Sequence, residues 1–500
     1  MKVRQVTVCH TCRARKLGCA MTQRKCAGYD YDLIFVPMSK TGSRIRHSSP
    51  KKPPKESGRS EARRRAALIK TEPPDRPDHG LNLYPISPSL HWPLQHVILL
   101  LIQNFAPTLD PGDADIDLAV SPPRICGSWV ELLPGLADTS ANERTIAAPV
   151  RTLAMSILAR GHRGLAPMGD ALTAHSTALR SVHRALAHAD SASTNVLTAA
   201  VMCLMISELI LPDADASASQ AHASGLEALL KLQGPAFYAH GQAHRLFIEN
   251  NGSHRFQTLQ IVQAICTRRL TFLAEPAWKT VPFKTIPPTP LQELITIAAG
   301  LPQLLKEHDD CMAGRLPKHN TVTGPRRALS SHLHLLDVLE DWHHKYRSHI
   351  AQPSHWAVHR KTHGPCLWFS DITVANCLTH YWALWMICAT NIRTIRAEHP
   401  DLLAMDVLIG EHVPESTAVT HQLRQAAISI LESVHFLMQD DMKLYGATSL
   451  ILPLQTACQH LKTHYATEPG LIQACDSTID WIELRGFHFI GHFLRLTAGG

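Results

Sequence analysis

Four cysteines fall within the first 26 residues of this 500-residue chain: Cys9, Cys12, Cys19 and Cys26. Two residues separate the first pair, and six separate each following pair. The short spacing lets two thiolates bind one zinc ion from a single turn, and a tetrahedral site takes four such ligands. So short a segment has no hydrophobic core, and zinc supplies about 10–16 kcal/mol to comparable peptides. The pattern predicts a metal-stabilised module over residues 1–38; the alternative is incidental thiols.

Three cations, Arg13, Arg15 and Lys16, lie between the second and third of these cysteines. Cationic side chains on a short, metal-pinned helix are suited to bind phosphates and guanine edges. The charge distribution agrees, because residues 1–70 carry 18 Lys and Arg against 4 Asp and Glu, whereas the rest carries 31 against 38. A basic N-terminal part of this kind predicts a polyanionic partner. The alternative is a solvated basic turn and tail.

The stretch CHTCRARKLGC, residues 9–19, resembles the first half of the fungal binuclear zinc cluster. In that family six cysteines hold two zinc ions, and a basic residue of the first helix reads a CGG triplet. By position, the three cysteines of this stretch match the first three zinc ligands. Lys16 matches the base-reading residue, and Arg13 and Arg15 match phosphate contacts. Gly18 stands where a lysine is usual, so one cationic contact is missing.

The second half of the family pattern is incomplete in this sequence. Cys26 fits the fourth ligand, in which case Tyr29 stands where a fifth cysteine is expected. Cys26 also fits the sixth ligand, because Cys-Ala-Gly-Tyr-Asp matches the family's continuation; we favour this placement, which leaves the fourth and fifth ligands absent. Two zinc ions sharing thiolates need six sulfurs, so four cysteines support at most a single mononuclear site. Either the sequence lacks a coding segment or the module has decayed.

Residues 39–93 are rich in Pro, Ser, Lys and Arg, as in SSPKKPPKESGRSEARRR. Such a composition buries too little apolar surface to fold, so the sequence predicts a disordered linker, and it shows no heptads that would predict a coiled coil. Two basic clusters, Lys51-Lys52 and Arg63-Arg64-Arg65, lie ten residues apart. This arrangement is typical of a bipartite signal for a nuclear import receptor and predicts a nuclear location. The alternative is a phosphate-binding or solvated arm.

From residue 94 to residue 500 the pattern becomes helical, with Gly and Pro at the ends of apolar-periodic segments. Aromatic residues make up only 6%, and many apolar positions are Ala or Leu, which also favours helix. The sequence contains no internal repeat of fixed period, so it does not predict a regular solenoid. The predicted helices cover 166–188, 194–211, 217–232, 255–274, 290–309, 326–350, 368–397, 415–439, 446–465 and 470–496.

Several fragments of this body, in the same order, resemble the fungal-specific regulatory domain that follows such zinc clusters. They are WVELLP from Trp129, HASGLEALLKLQGP from His222, TFLAEPAW from Thr271, residues 369–395 around Tyr381, and the segment from Trp481 to Gly491. The resemblance implies an all-helical, α-solenoid-like domain that controls activation, contacts the transcription machinery and senses a small effector. The whole chain then resembles a zinc-dependent, sequence-specific regulator of RNA polymerase II transcription. A regulator of the same family that has lost direct DNA binding is the alternative.

Motifs of the common hydrolases, nucleotide-binding enzymes and metalloproteases are absent from the sequence, so we expect no enzyme activity. We interpret the pairs His240/His244 and His343/His344 as ordinary surface or core histidines, because no metal-ligand set accompanies them. The other nine cysteines are scattered and predict buried thiols in a soluble, reduced, intracellular protein. The longest apolar run, residues 96–105, is too short to span a bilayer, so we expect no membrane partner.

Overall fold

A computed structural model describes residues 92–105, 129–160, 164–187, 194–211, 216–248, 255–313, 323–350, 352–360, 364–400 and 416–487. The predicted zinc module, residues 1–38, lies outside these ranges. So does the predicted linker, residues 39–93, apart from its last two residues.

The described part of the chain is mostly helical, which confirms the predicted mostly-α class. Its α-helices are α1 Leu94–Phe105, α2 Leu133–Leu136, α3 Ser140–Ala159, α4 Met168–Leu186, α5 Thr194–Ile210, α6 Ala216–Gln233, α7 Gly241–Ile248, α8 Arg255–Thr267, α9 Pro276–Thr280, α10 Pro290–Ala298, α11 Leu301–Met312, α12 Thr323–His349, α13 Ile372–Glu398, α14 Ser416–Leu437, α15 Lys443–Ser449, α16 Ile451–His464 and α17 Pro469–Leu484. Short 3-10 helices cover Trp129–Leu132, Pro235–Ala239, Phe272–Ala274, Val281–Phe283 and Asp440–Met442. Its strands are β1 His355–Arg360 and β2 Gly364–Phe369.

The two strands form an antiparallel hairpin, so the expectation of an all-helical domain is wrong at this point. His355 pairs with Phe369 at one end of the hairpin, and Arg360 pairs with Gly364 at the other. Gly364 has a φ of 75°, a left-handed conformation that glycine adopts without strain. The sequence does not predict these strands because each has only six residues and neither alternates cleanly between buried and exposed positions.

Some helix boundaries differ from the predicted ones, and residues next to each boundary explain the difference. α13 begins at Ile372 rather than residue 368, because the Asp371 carboxylate accepts a hydrogen bond from the Val374 N–H at 2.9 Å and caps the helix. The helix predicted over 290–309 is two helices, α10 and α11, with Gly300 as the residue before α11 and a proline in its first turn.

Helix α3 is absent from the sequence prediction. Pro149 lies in its interior, and an interior proline normally ends a helix because it removes a backbone hydrogen bond. Thr139 caps the beginning of α3, where its hydroxyl oxygen accepts a hydrogen bond from the Asn142 N–H at 3.2 Å. From Val150 to Ala159 the helix is buried almost throughout, so tertiary packing stabilises it in spite of the proline.

Two helices form the centre of the described part. α5 has 16 buried residues among 17, and α13 has 17 among 27, so both are apolar around most of their circumference. α5 packs on α3, α4 and α6, whereas α13 packs on α12, α14 and α16. α13 is long and apolar enough, by length and composition, to cross a membrane, but 83% of its most apolar window is buried inside the protein. That burial is typical of a core helix.

Candidate functional site

The residues predicted to bind zinc, DNA and the import receptor all precede residue 92 and lie outside the described ranges. They are Cys9, Cys12, Cys19, Cys26, Arg13, Arg15, Lys16, Lys51, Lys52, Arg63, Arg64 and Arg65. In the part of the chain that the structure describes, no group of three or more His, Cys, Asp or Glu side chains is arranged to hold a metal ion. One cluster of ionisable side chains in the described part lies inside the helical body, around Glu208.

Glu208 is a charged residue on a core helix. It is the one Asp, Glu, Lys or Arg in the α5 sequence TNVLTAAVMCLMISELI, and only 5% of its side chain is exposed. A carboxylate removed from water in this way is costly unless hydrogen bonds or opposite charges compensate it. The side chains that contact Glu208 therefore determine how its buried charge is stabilised.

Two histidines from the helices on either side provide those partners. His222 of α6 has its Nδ1 2.8 Å from one carboxylate oxygen of Glu208, within hydrogen-bond distance. His175 of α4 has its Nε2 3.5 Å from the other oxygen, which is too long for a good hydrogen bond. We call His175, Glu208 and His222 the carboxylate cluster. It joins three consecutive helices through a single buried side chain.

Within the carboxylate cluster, the surroundings of His175 shift its protonation equilibrium. Burial is the main cause that lowers the pKa of His175; the Glu208 carboxylate opposes this shift, and His222 adds to it. His175 is therefore neutral at neutral pH, and the close contact of Glu208 is with His222. The 2.8 Å contact between Glu208 and His222 links α5 to α6, and His175 of α4 lies beside the same carboxylate.

Replacing His222 by alanine is expected to lower the free energy of unfolding by about 2 kcal/mol, because Glu208 then loses its 2.8 Å partner. Urea unfolding at pH 7 measures the change. His183→Ala, at an exposed position of α4, is the matched control and should stay within about 0.5 kcal/mol of the unsubstituted protein. Equal stability of His222→Ala and the control would show that the contact with Glu208 contributes nothing.

A small cleft lies between α6 and α8 and the turn that follows α8. Its volume is about 230 Å³, and Ser224, Glu227, Gln260 and Gln263 are among the residues that line it. Typical ligand pockets measure about 300–1,000 Å³, so this cleft fits only a small polar molecule. Glu227 already pairs with Lys231 at 2.9 Å along α6. The wall also carries the cation of Arg269 beside neutral polar groups.

The two histidine pairs that the sequence draws attention to are surface and core histidines, as expected: His240 and His344 are exposed, and His244 and His343 pack against neighbours. His244 is buried, and its Nδ1 lies 2.9 Å from the carbonyl oxygen of Tyr238. The ring of His343 stacks on that of Tyr381 with centroids 4.0 Å apart. Burial is the main cause that lowers the pKa of His343 to about 4, so this ring is neutral at neutral pH.

The scattered cysteines of the described part are free thiols, as the sequence predicts. Six of them are buried, and Cys266 and Cys311 are half-buried. The buried ones are Cys203, Cys366, Cys377, Cys388, Cys458 and Cys475.

A stripe of leucines at seven-residue spacing runs along α4 and the turn before it, at Leu165, Leu172, Leu179 and Leu186. Between 38% and 46% of each is exposed. The buried face of α4 carries mostly small residues such as Ala171. It lies about a quarter of a turn from the leucine row, so the leucines flank the buried face and stay partly exposed. The sequence signal for the stripe is the repeat of leucine at every seventh position.

No protein-family model, curated protein or solved structure matches this chain. The resemblance to fungal zinc-cluster regulators therefore rests on the residues and motifs of the sequence itself.

Proposed function

We propose that the chain is a zinc-dependent, sequence-specific DNA-binding regulator of RNA polymerase II transcription in the nucleus. The observation that carries the proposal is the spacing of Cys9, Cys12 and Cys19 around Arg13, Arg15 and Lys16. Thiolates at this spacing suit zinc, and cations between them suit a phosphate backbone and guanine edges. The mostly helical fold of the described part supports the proposal only coarsely, because helical bodies serve many functions.

In this proposal each part of the chain has a separate role. Zinc stabilises the N-terminal module, Lys16 reads a CGG-type triplet, and Arg13 and Arg15 contact phosphates. The clusters Lys51-Lys52 and Arg63–Arg65 bind the import receptor. The helical, solenoid-like body controls activation through the transcription machinery. The cleft between α6 and α8 is the candidate site for a small effector, since it is concave and polar.

A second candidate function is that of a nuclear interaction protein of the same family that no longer binds DNA directly. The observation that favours it is the number of cysteines in the cluster, four where two bridged zinc ions need six. A mononuclear site has a loop geometry that differs from that of the family's two-zinc module.

Sequence-specific binding by Lys16 is the test that separates the two functions. We expect the full-length chain to bind a CGG-containing duplex more tightly than a duplex of scrambled sequence in a gel-shift assay at fixed salt. Lys16→Ala should weaken the specific complex roughly tenfold to a hundredfold, because a side chain bidentate to guanine is lost.

Arg59→Ala is the matched control for this prediction, since it removes a linker cation outside the cysteine cluster. It should weaken both duplexes alike and only slightly. Binding that is equal on both duplexes, falls with salt and is unchanged by Lys16→Ala would instead support the interaction protein.

A further inference from the structure

The cleft between α6 and α8 is lined by polar side chains from three parts of the chain. α6 contributes Ser224 and Glu227, α8 contributes Gln260 and Gln263, and the turn after α8 contributes Arg269. Gln260 is 6% exposed, and its amide N–H donates a hydrogen bond to a backbone carbonyl oxygen of α6 at 2.8 Å. This bond joins the two helices, so the fold itself holds the walls of the cleft in place.

The turn that brings Arg269 to the cleft contains a residue in an unusual backbone conformation. α8 ends in a Schellman motif, in which the Arg269 N–H donates to the Ala264 carbonyl oxygen at 3.1 Å and the Arg268 N–H donates to that of Ile265 at 3.4 Å. Arg268 has a φ of 54°, a left-handed conformation that glycine usually adopts at this position. Its Nε lies 3.3 Å from the carboxylate of Asp309 on α11. Residues held in this way are concentrated at ligand-binding sites.

Two opposite charges line the cleft, one on each side. Among the described residues no carboxylate pairs with Arg269, which is exposed, so its guanidinium is able to bind a ligand carboxylate through two parallel hydrogen bonds. Glu227 is half-buried, and one of its oxygens lies 2.9 Å from the Lys231 Nζ. A carboxylate accepts up to about four hydrogen bonds, so Glu227 is able to accept further ones from a ligand ammonium group.

We propose that this cleft binds a free α-amino acid with a polar side chain, its carboxylate on Arg269 and its ammonium group on Glu227. A simple carboxylic acid would leave Glu227 without a ligand partner, and a simple amine would leave Arg269 without one. The Ser224 hydroxyl and the Gln263 amide complement a polar side chain, and a volume of about 230 Å³ suits a ligand of this size. The inference rests on the proposed function, in which this cleft takes a small effector, and it names the chemical class of that effector.

A saturation-transfer difference NMR titration of the full-length protein with L-glutamine tests the site. We expect L-glutamine to bind saturably at millimolar concentration. L-Glutaminamide, which lacks the carboxylate, and N-acetyl-L-glutamine, which lacks the ammonium group, should each bind roughly tenfold more weakly or worse, because a hydrogen-bonded charge pair is lost. Absence of saturable L-glutamine binding, or equal affinity for all three compounds, would overturn the proposal.

Substitution of Arg269 assigns the binding to the cleft. Arg269→Gln should weaken L-glutamine binding roughly tenfold to a hundredfold. Arg180→Gln is the matched control, because it changes an exposed arginine of α4 that does not line the cleft, and it should leave the affinity unchanged. Both positions are exposed, so both variants should fold, and circular dichroism checks this. Equal L-glutamine affinity of Arg269→Gln and the unsubstituted chain would also overturn the proposal.

A gel-shift assay on the CGG-containing duplex without L-glutamine separates this inference from the proposed function. A chain that binds the duplex specifically but does not bind L-glutamine overturns the amino-acid site alone. A chain that binds L-glutamine through Arg269 but shows no specific DNA binding supports the site and contradicts the DNA-binding function.

Discussion

Lowering the pH from 7 to 5 is expected to destabilise the helical body by roughly 4 kcal/mol, about 2 kcal/mol from each of two buried histidines. His380 on α13 is 2% exposed and His460 on α16 is 6% exposed. Burial is the main cause that lowers both pKa values to about 4, and His464 and Arg393 lower that of His460 further.

The sign follows from proton uptake in the two states. An unfolded histidine has a pKa of about 6.5 and binds a proton as the pH falls below that value. The native rings stay neutral until about pH 4, so between these values the unfolded state binds more protons and stability falls with pH. The pKa of His343 is also lowered to about 4, but its ring is only half-buried, so solvent screening makes its contribution in the same direction smaller. Burial raises the pKa of Glu432, which opposes the trend.

Guanidinium chloride unfolding at pH 7 and pH 5 measures this dependence. His380→Gln should reduce the difference between the two pH values by about 2 kcal/mol, because it removes a titrating ring. Thr379→Ser is the matched control, since Thr379 is a buried neighbour on α13 that does not titrate in this range. Equal stability at pH 5 and pH 7 would contradict the burial of neutral His380 and His460.

Replacing Gly446 by alanine is expected to lower the free energy of unfolding by about 3 kcal/mol. Gly446 lies in α15, and a Cβ there would collide with the carbonyl group of Leu437 at the end of α14 and come within 2.7 Å of the Met442 Cβ. Backbone and Cβ atoms cannot rotate away, so α15 must shift. That shift would strain the hydrogen bond at 2.9 Å from the Asn376 amide to the Tyr445 hydroxyl.

Gly225→Ala is the matched control for Gly446→Ala. Gly225 is exposed in α6, and no atom lies within 4 Å of the Cβ that would be added. Alanine there should raise stability by about 0.5–1 kcal/mol, because glycine is a poor helix former. Denaturant unfolding of both variants gives the comparison. A Gly446→Ala protein as stable as the unsubstituted chain would show that α15 does not need this close approach.

Local signals in the sequence predict much of the helical body. The predictions for α4, α5 and α6 end within two residues of the observed helices, because Pro and Gly punctuate the apolar periodicity there. The same local signals do not predict the hairpin or helix α3. β2 is a short apolar run that continues into α13, and α3 contains Pro149, so in both cases tertiary packing outweighs the local rule.

The functional features of the described part depend on contacts that no local pattern contains. Glu208 gives a signal, since a single carboxylate in an apolar helix sequence demands a partner, but the sequence does not say that His175 and His222 supply it. The zinc and DNA sites, in contrast, can be predicted from the sequence alone, because they depend on the spacing of cysteines and cations within one short segment.

The zinc content of the purified full-length protein tests the central claim most directly, and elemental mass spectrometry measures it per chain. The account predicts a single zinc ion per chain, which is lost in Cys12→Ser and retained in Cys203→Ser, because four N-terminal thiolates support one tetrahedral site. An unsubstituted chain purified without chelators that contains no zinc, or the same zinc content in Cys12→Ser as in the unsubstituted chain, would contradict it.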